Sequence, residues 1–376
     1  MRGRSVLFQL LLLGAVLGVL FYLGGNLQTN LQATGLQTGY GYLDQPYGSD
    51  IPGSDCCQTQ SVRDAFLLGW ANTFRIASVG IVLALVLGVV VGVGRLSKNF
   101  MVRTASALYV ETLRNIPVYL LVFSMFFVVI QQTLPPITEA IDWLGVTVFS
   151  NRGLYIPWLQ LNVNATAFIG LLGFALVGAV GTGIWRTRRF ERTGEPHHRV
   201  LWGLGVFLAI AVVGYLMLDR PITFDAPERE GRLVVGGLEV NPSYAALLIA
   251  LVIYTASHIA EIVRGGIQAV AHGQTEASLA LGLSNFQRIR LVVLPQAFRI
   301  MVPPLANQFL NLTKNSSLAV AIGYYDITRV TQTAANNAAP APQAYSVLML
   351  GYLTFSLSIS LIANIINRRL RLGGRT

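Results

Sequence analysis

Seven polar or charged side chains stand in stretches that are otherwise apolar: Glu111, Arg114, Glu261, Asn307, Asn311, Lys314 and Asn315. The last four follow one another at i, i+4, i+7 and i+8, so on a helix they form a single stripe. Such a stripe marks either a helix interface or a wet path. An ionisable group at mid-bilayer costs at least ~2.5–3.5 kcal/mol on insertion scales, which favours a compensating partner or a use. Glu111 and Arg114, three residues apart, can pair on one helix face, and Glu261 can partner Lys314. None of this is covalent chemistry. No nucleophile–base set converges, His197 and His198 point different ways on any regular element, His258 and His272 stand far apart, and no Cys or carboxylate cluster completes a metal ligand set. A phosphate-cradling loop needs Lys followed by Ser or Thr after a Gly-rich run, yet the two lysines, Lys98 and Lys314, each precede Asn. The sequence thus reads as a non-enzyme that binds no cofactor of its own, so any ATP use falls to a partner.

The elements that must position these residues are membrane spans. In 376 residues, 53% are hydrophobic, 12% are charged and the mean hydropathy is +0.56, too little polar surface for a soluble globule of this size. The apolar residues fall in uninterrupted stretches near the ~20 residues that cross a bilayer as helix, with every backbone group paired internally. Spans are predicted near 5–23, 70–94, 105–131, 166–185, 200–218, 244–263, 300–322 and 345–366. With both termini inside, most of the 27 basic residues fall in inner segments, as the inside bias of Lys and Arg requires. The net charge of +10 therefore belongs to loops beside the membrane and implies lipid contact, with no nucleic-acid partner. Arg2 and Arg4 ahead of an apolar run also fit a cleaved signal. The length of that run and the lack of a small-x-small cleavage site favour a retained span.

The outer connections are expected as loops at 24–69, 132–165, 219–243 and 323–344. Cys56 and Cys57 are adjacent in the first of them, a poor geometry for a bridge, so unpaired thiols are favoured over a vicinal disulfide. The inner connection 186–199 is a short basic hairpin. The inner connection 264–299 is longer, neither apolar enough to cross nor polar enough to be disordered, and must fold. Within it, 275–281 is helical, Gly282 supplies the positive φ that ends the helix, Ser284 caps the next one and Pro295 limits it. Glu276, Ala277, Ala280, Leu281, Gly282 and Phe286 combine small residues for close approach, apolar anchors and one acid, which suits insertion of a helix into a partner's groove.

At these residues the chain resembles the permease subunits of ABC importers, whose inner signature is Glu-Ala-Ala, three residues, Gly, nine residues, Ile-x-Leu-Pro. Here it stands as Glu276-Ala277-Ser278, then Gly282, then Val292-Val293-Leu294-Pro295. Ser278 replaces the second Ala and Val292 replaces Ile, both nearly size-conserving. The third span opens "YVETLRNIPVYLL", with Glu111, Arg114 and Pro117 spaced as in the permeases for polar amino acids. Pro117 lacks the N–H that would bond Leu113, and is expected to bend that helix. The resemblance covers roughly 66–131 and 244–370.

The resemblance implies an all-α polytopic membrane protein: the five-helix transmembrane core of a type I ABC importer carrying three added helices, about eight spans in all. Its divisions are 1–65 as first span and outer loop, 66–131 as the first part of the core, 132–243 as outer loop plus inserted helix pair, and 244–376 as the second part with the coupling segment 264–299. The added helices resemble those of broad-range L-amino-acid importers. The resemblance further implies a bacterial inner-membrane permease for amino acids, coupled to two copies of an ATP-binding subunit, a second permease, identical or homologous, and a periplasmic solute-binding protein. In that setting Arg114 or Lys314 would attract a substrate α-carboxylate and Glu111 or Glu261 an α-ammonium. The alternative, in which these charges pair only to stabilise the bundle, stands beside it. A stand-alone secondary transporter or channel is the competing class, marked by inverted repeats and matched broken helices, and neither is evident in the sequence.

Overall fold

The computed structural model describes residues 2–33, 39–54, 59–193, 198–337 and 339–370. Cys56, Cys57 and His197 lie outside the described residues. The chain divides into two compact units, one made of residues 1–129 and 243–376 and the other of residues 130–242.

The first unit is helical. Helix α1 is Arg2–Ala33, with described side chains exposed along its length. Helix α2, Val62–Gly94, starts where Ser61 accepts from the Asp64 N–H and the Asp64 carboxylate accepts from the Ser61 N–H, a capping box that satisfies two orphan donors. Its buried face is a run of small residues, Thr73, Ala77, Gly80, Ala84, Gly88 and Gly92. Helix α3, Phe100–Asn115, is capped by Asn99, whose Oδ1 accepts from the Met101 and Val102 N–H groups. Helix α4, Val118–Ser124, continues as a π-helix over Met125–Thr133.

The bend expected at Pro117 is a full break of 101° between α3 and α4. Ile116 is held extended (φ −91, ψ 128), and Pro117 is extended too (ψ 133). Proline disfavours helix in the residue before it, and two extended residues in a row end a helix where one missing hydrogen bond would only have curved it.

The second unit holds eight short strands and two long helices. The strands are β1 (Ile141–Trp143), β2 (Thr147–Ser150), β3 (Gly153–Ile156), β4 (Trp158–Leu161), β5 (Ile222–Asp225), β6 (Glu228–Glu230), β7 (Leu233–Val235) and β8 (Leu238–Val240). They pair antiparallel as β1-β2-β3-β8, β4-β5 and β6-β7. The turn after β1 closes through Val146 N–H to Trp143 C=O at 3.2 Å, with Leu144 and Gly145 at positive φ, the conformation that matches strand twist in a hairpin. The expected outer loops at 132–165 and 219–243 are therefore sheet. Helices α5 (Ala165–Thr193) and α6 (Arg199–Met217) form an antiparallel pair.

Back in the first unit follow α7 (Pro242–Gln268), α8 (His272–Ala280), α9 (Asn285–Arg288), α10 (Leu294–Asn315), α11 (Ile327–Asn337) and α12 (Ala341–Leu370). A π-turn, Ile289–Val293, joins α9 to α10, and a 3-10 turn, Ser316–Ile322, follows α10. Among the described residues seven helices are long and apolar enough to cross a membrane, or eight if the broken α3–α4 pair is one span. The segment 39–54 is ordered. Tyr42, Tyr47 and Ile51 bury against Val62 and Phe66 of α2 and Ile327 and Val330 of α11. Buried apolar side chains of this size contribute roughly 1.5–3 kcal/mol each, which fixes α11, an element that the loop expected at 323–344 did not contain.

Candidate functional site

The segment 264–299 builds a projection from local rules. Helix α8 ends in a Schellman motif: Leu283 N–H reaches the Ser278 carbonyl at 3.1 Å and Gly282 N–H the Leu279 carbonyl at 2.9 Å. Gly282 has φ +73, a conformation that glycine adopts without steric cost. Ser284 then caps α9. Its Oγ accepts from the Gln287 N–H at 3.3 Å, and Gln287 Oε1 accepts from the Ser284 N–H at 2.9 Å. Ser278 is buried with its hydroxyl donated to the Thr275 carbonyl at 2.7 Å, so this departure from the small-residue signature satisfies its polar group within its own helix. Gln296 Nε2 donates to Gln274 Oε1 at 3.3 Å, tying α8 to the start of α10.

Pro295 does not limit the second helix as expected. It sits in the first turn of α10, and the chain stays helical into it from α9 through the π-turn. Glu276, Ala277, Ala280, Leu281 and Phe286 are all exposed. Leu281 is 80% and Phe286 70% exposed, two apolar side chains presented on a capped, rigid corner. Glu276 meets His272 Nδ1 at 3.0 Å.

The charges within the helices pair differently from expectation. Arg95, at the C-cap of α2, forms an ion pair with Glu261 of α7 and lies 3.8 Å from Glu111 of α3. Arg264, one turn on from Glu261, binds the same carboxylate, with Nε 3.1 Å from Oε2. Glu111 is thus paired with Arg95 in place of Arg114, and Glu261 with Arg95 and Arg264 in place of Lys314. The reason is reach. Glu111 turns toward the end of α2 that packs beside it, and Lys314 stands on the open face of α10. Among the described residues Arg114 and Lys314 form no ion pair. Asn307, Asn311 and Lys314 are exposed and Asn315 is half-buried, while Met301, Leu305 and Leu312 face the packed side of the same helix. The stripe read from the sequence is therefore one uncovered face.

Two features escaped the sequence reading. Arg95, one residue past the predicted 70–94 span, closes the network. On α2, Gly88 and Gly92 lie against α7: a Cβ on Gly88 would stand 2.6 Å from Ile259 Cβ, and one on Gly92 2.7 Å from the Ala260 carbonyl. Their four-residue spacing is the signal of close helix packing in a membrane and was there to be read. No group of three or more His, Cys, Asp or Glu able to hold a metal exists among the described residues.

Comparison with known proteins agrees with this architecture. Residues 80–372 match the family model described as binding-protein-dependent transport system inner membrane component. The chain is 38% identical to the putative amino-acid ABC transporter permease protein YhdX of Escherichia coli (strain K12), over 98% of this chain and 94% of that one. It is 36% identical to the general L-amino acid transport system permease protein AapQ of Rhizobium johnstonii, over 99% and 93%. A third relative, the glutamate/glutamine/aspartate/asparagine transport system permease protein BztB of Rhodobacter capsulatus, is 34% identical over 100% and 95%. A polytopic helical body matched over most of its length leaves one assignment: this chain belongs to the binding-protein-dependent transport system inner membrane components and is a multi-pass inner-membrane protein.

Proposed function

We propose that this chain is the permease subunit of an ATP-driven importer for amino acids, and that it couples to a separate ATPase through the projection formed by α8 and α9. The observation that carries the reading is the exposed, doubly capped corner with Leu281 and Phe286 at its tip. Apolar side chains at such exposure on a rigid polar element are matched to a groove in a partner. Glu276, Ala277, Ala280, Gly282 and Pro295 shape that element. The relatives named for amino-acid transport support the substrate class, and the absence of a Lys-Ser or Lys-Thr phosphate loop supports an ATPase acting in trans. Two copies of the ATPase, a second permease, identical or homologous, and a periplasmic binding protein complete the machine. The basic-residue bias supports an orientation with both termini in the cytoplasm.

Alternating access would move α7 and α10 with the projection, since both lead directly from it. The open face carrying Asn307, Asn311, Lys314 and Asn315 then lines the path or meets the second permease, with Arg114 on the broken α3–α4 span near it in role. Pull-down of the tagged chain from its native membrane tests the coupling. An ATPase is expected to come with wild type and be lost with Leu281→Asp and Phe286→Asp. Equal recovery with both variants would remove the corner from the interface.

A further inference from the structure

We propose that the α5–α6 pair carries a binding site for an anionic phospholipid at the end where its basic turn lies. The pair is apolar on its outside: Val177, Val180, Ile184, Leu201, Leu204 and Leu208 are all at least half exposed. At one end a groove of about 350 Å³ opens between the two helices, lined by Val180, Gly183, Ile184, Thr187, Arg188 and Arg199. Its wall is almost wholly apolar, and Arg188 of α5 and Arg199 of α6 are among the residues that line it. That is the shape of an acyl chain under a phosphate.

The groove exists because residue 183 has no side chain. A Cβ there would approach only the Arg199 carbonyl, at 3.9 Å, so the space is open. Thr187 donates its hydroxyl to the Gly183 carbonyl at 2.9 Å and brings no unpaired donor into the apolar wall. The arginines divide their work. Arg186 stacks over Trp202 at 4.7 Å and over Trp185 at 5.9 Å, and Arg189 over Trp185 at 5.8 Å, which fastens the helix ends together and sets two indoles at headgroup level. Arg188 and Arg199 line the groove and form no ion pair among the described residues. The segment 186–199 holds Arg186, Arg188, Arg189, Arg192 and Arg199 against Glu191 and Glu195, so the turn is basic with every residue counted. Arginines at a membrane-facing inter-helix groove on the basic side are matched to the phosphate of an anionic headgroup. The inner placement of the turn rests on the orientation given under Proposed function.

The test is lipid retention by the full transporter, purified in mild detergent and read by native mass spectrometry after addition of phosphatidylglycerol, cardiolipin or phosphatidylethanolamine in turn. Wild type is expected to keep an anionic lipid in preference to phosphatidylethanolamine. An interfacial arginine contributes about fivefold, so Arg188→Gln with Arg199→Gln is expected to weaken retention about thirtyfold. Gly183→Leu, which fills the groove and leaves the charge unchanged, is expected to lose the same lipid. Arg188→Lys with Arg199→Lys is expected to keep most of it. Equal retention of phosphatidylethanolamine by wild type, or retention unchanged in both the glutamine and the leucine variants, would overturn the site. ATP-driven uptake by the same preparations after reconstitution into vesicles reports separately on the transport reading, because these residues stand outside the coupling corner and the polar stripe.

Discussion

Arg95 and Glu261 are 166 residues apart and form an ion pair that fastens the end of α2 to α7. Glu261 is shared with Arg264, so the three residues form one network toward the end of α7 that leads into the segment 264–299. Both members of the pair are mostly shielded, and removal of a partner leaves a poorly solvated charge. Such losses fall between those of exposed and fully buried pairs, about 2 kcal/mol. Glu261→Gln, which removes the carboxylate shared by Arg95 and Arg264, is expected to lower thermal stability in detergent more than Arg95→Gln, which leaves Glu261 with Arg264. The double variant is expected to be little worse than Glu261→Gln alone. Strict additivity in that cycle would mean that the two side chains are not coupled.

The packing of α2 on α7 depends on the missing side chain of Gly88. Gly88→Ala would set a methyl 2.6 Å from Ile259 Cβ, and overpacking of this kind costs about 1–3 kcal/mol. Ile259→Ala does not relieve it, because the atom approached is Cβ itself. Gly181→Ala on α5, where nothing lies within 4 Å, is expected to be neutral or slightly stabilising. Melting curves of the three variants check the contrast.

Gly282 is expected to matter through its backbone alone. A Cβ there meets nothing within 4 Å, but φ is +73, so Gly282→Ala carries a left-handed strain of about 1 kcal/mol. Gly282→Asn is expected to recover part of the lost uptake, since asparagine adopts this conformation more readily. An alanine variant with full uptake would show that the corner tolerates a different turn.

Asp326 gives a pH dependence outside the spans. It caps α11, accepting from the Arg329 N–H at 2.9 Å, and is fully buried. Burial pushes its carboxyl up to about 6, against hydrogen bonds from Arg329, Thr328 and Tyr352 that oppose the rise. The folded state therefore holds the proton more tightly than the unfolded one. That contribution is full below about pH 4 and is lost as pH rises through about 6. Asp326→Asn keeps a cap acceptor and removes the charge. It is expected to be more stable than wild type by about 2 kcal/mol at pH 7.5, with the gap closing at pH 4. A gap that does not change with pH would show that the acid is not titrating in this range.

What the sequence made legible was what depends on near neighbours. The Gly282 turn and the Ser284 cap follow from residues within four positions of each other, and the spans follow from composition along one helix. Arg95–Glu261 was not legible, because the partner is chosen by how α2 lies on α7, and along the sequence Arg114 was the partner offered to Glu111 and Lys314 the one offered to Glu261. Strands of three or four residues, such as Leu238–Val240, are too short for alternation to register. At Pro117 the rule for one missing hydrogen bond pointed to a curve, whereas the added restriction on Ile116 produced a break.

The proposed coupling puts the drive at the corner that bears Leu281 and Phe286. The most direct measurement is uptake of labelled amino acids into vesicles containing the complete complex, with and without ATP inside the ATPase compartment, for wild type and Leu281→Asp. Wild type is expected to accumulate substrate only with ATP, and the variant to lose at least about tenfold of that uptake while remaining folded, since its side chain is 80% exposed. Uptake by the isolated chain, driven by an ion gradient and untouched by Leu281→Asp, would show that this corner carries no drive.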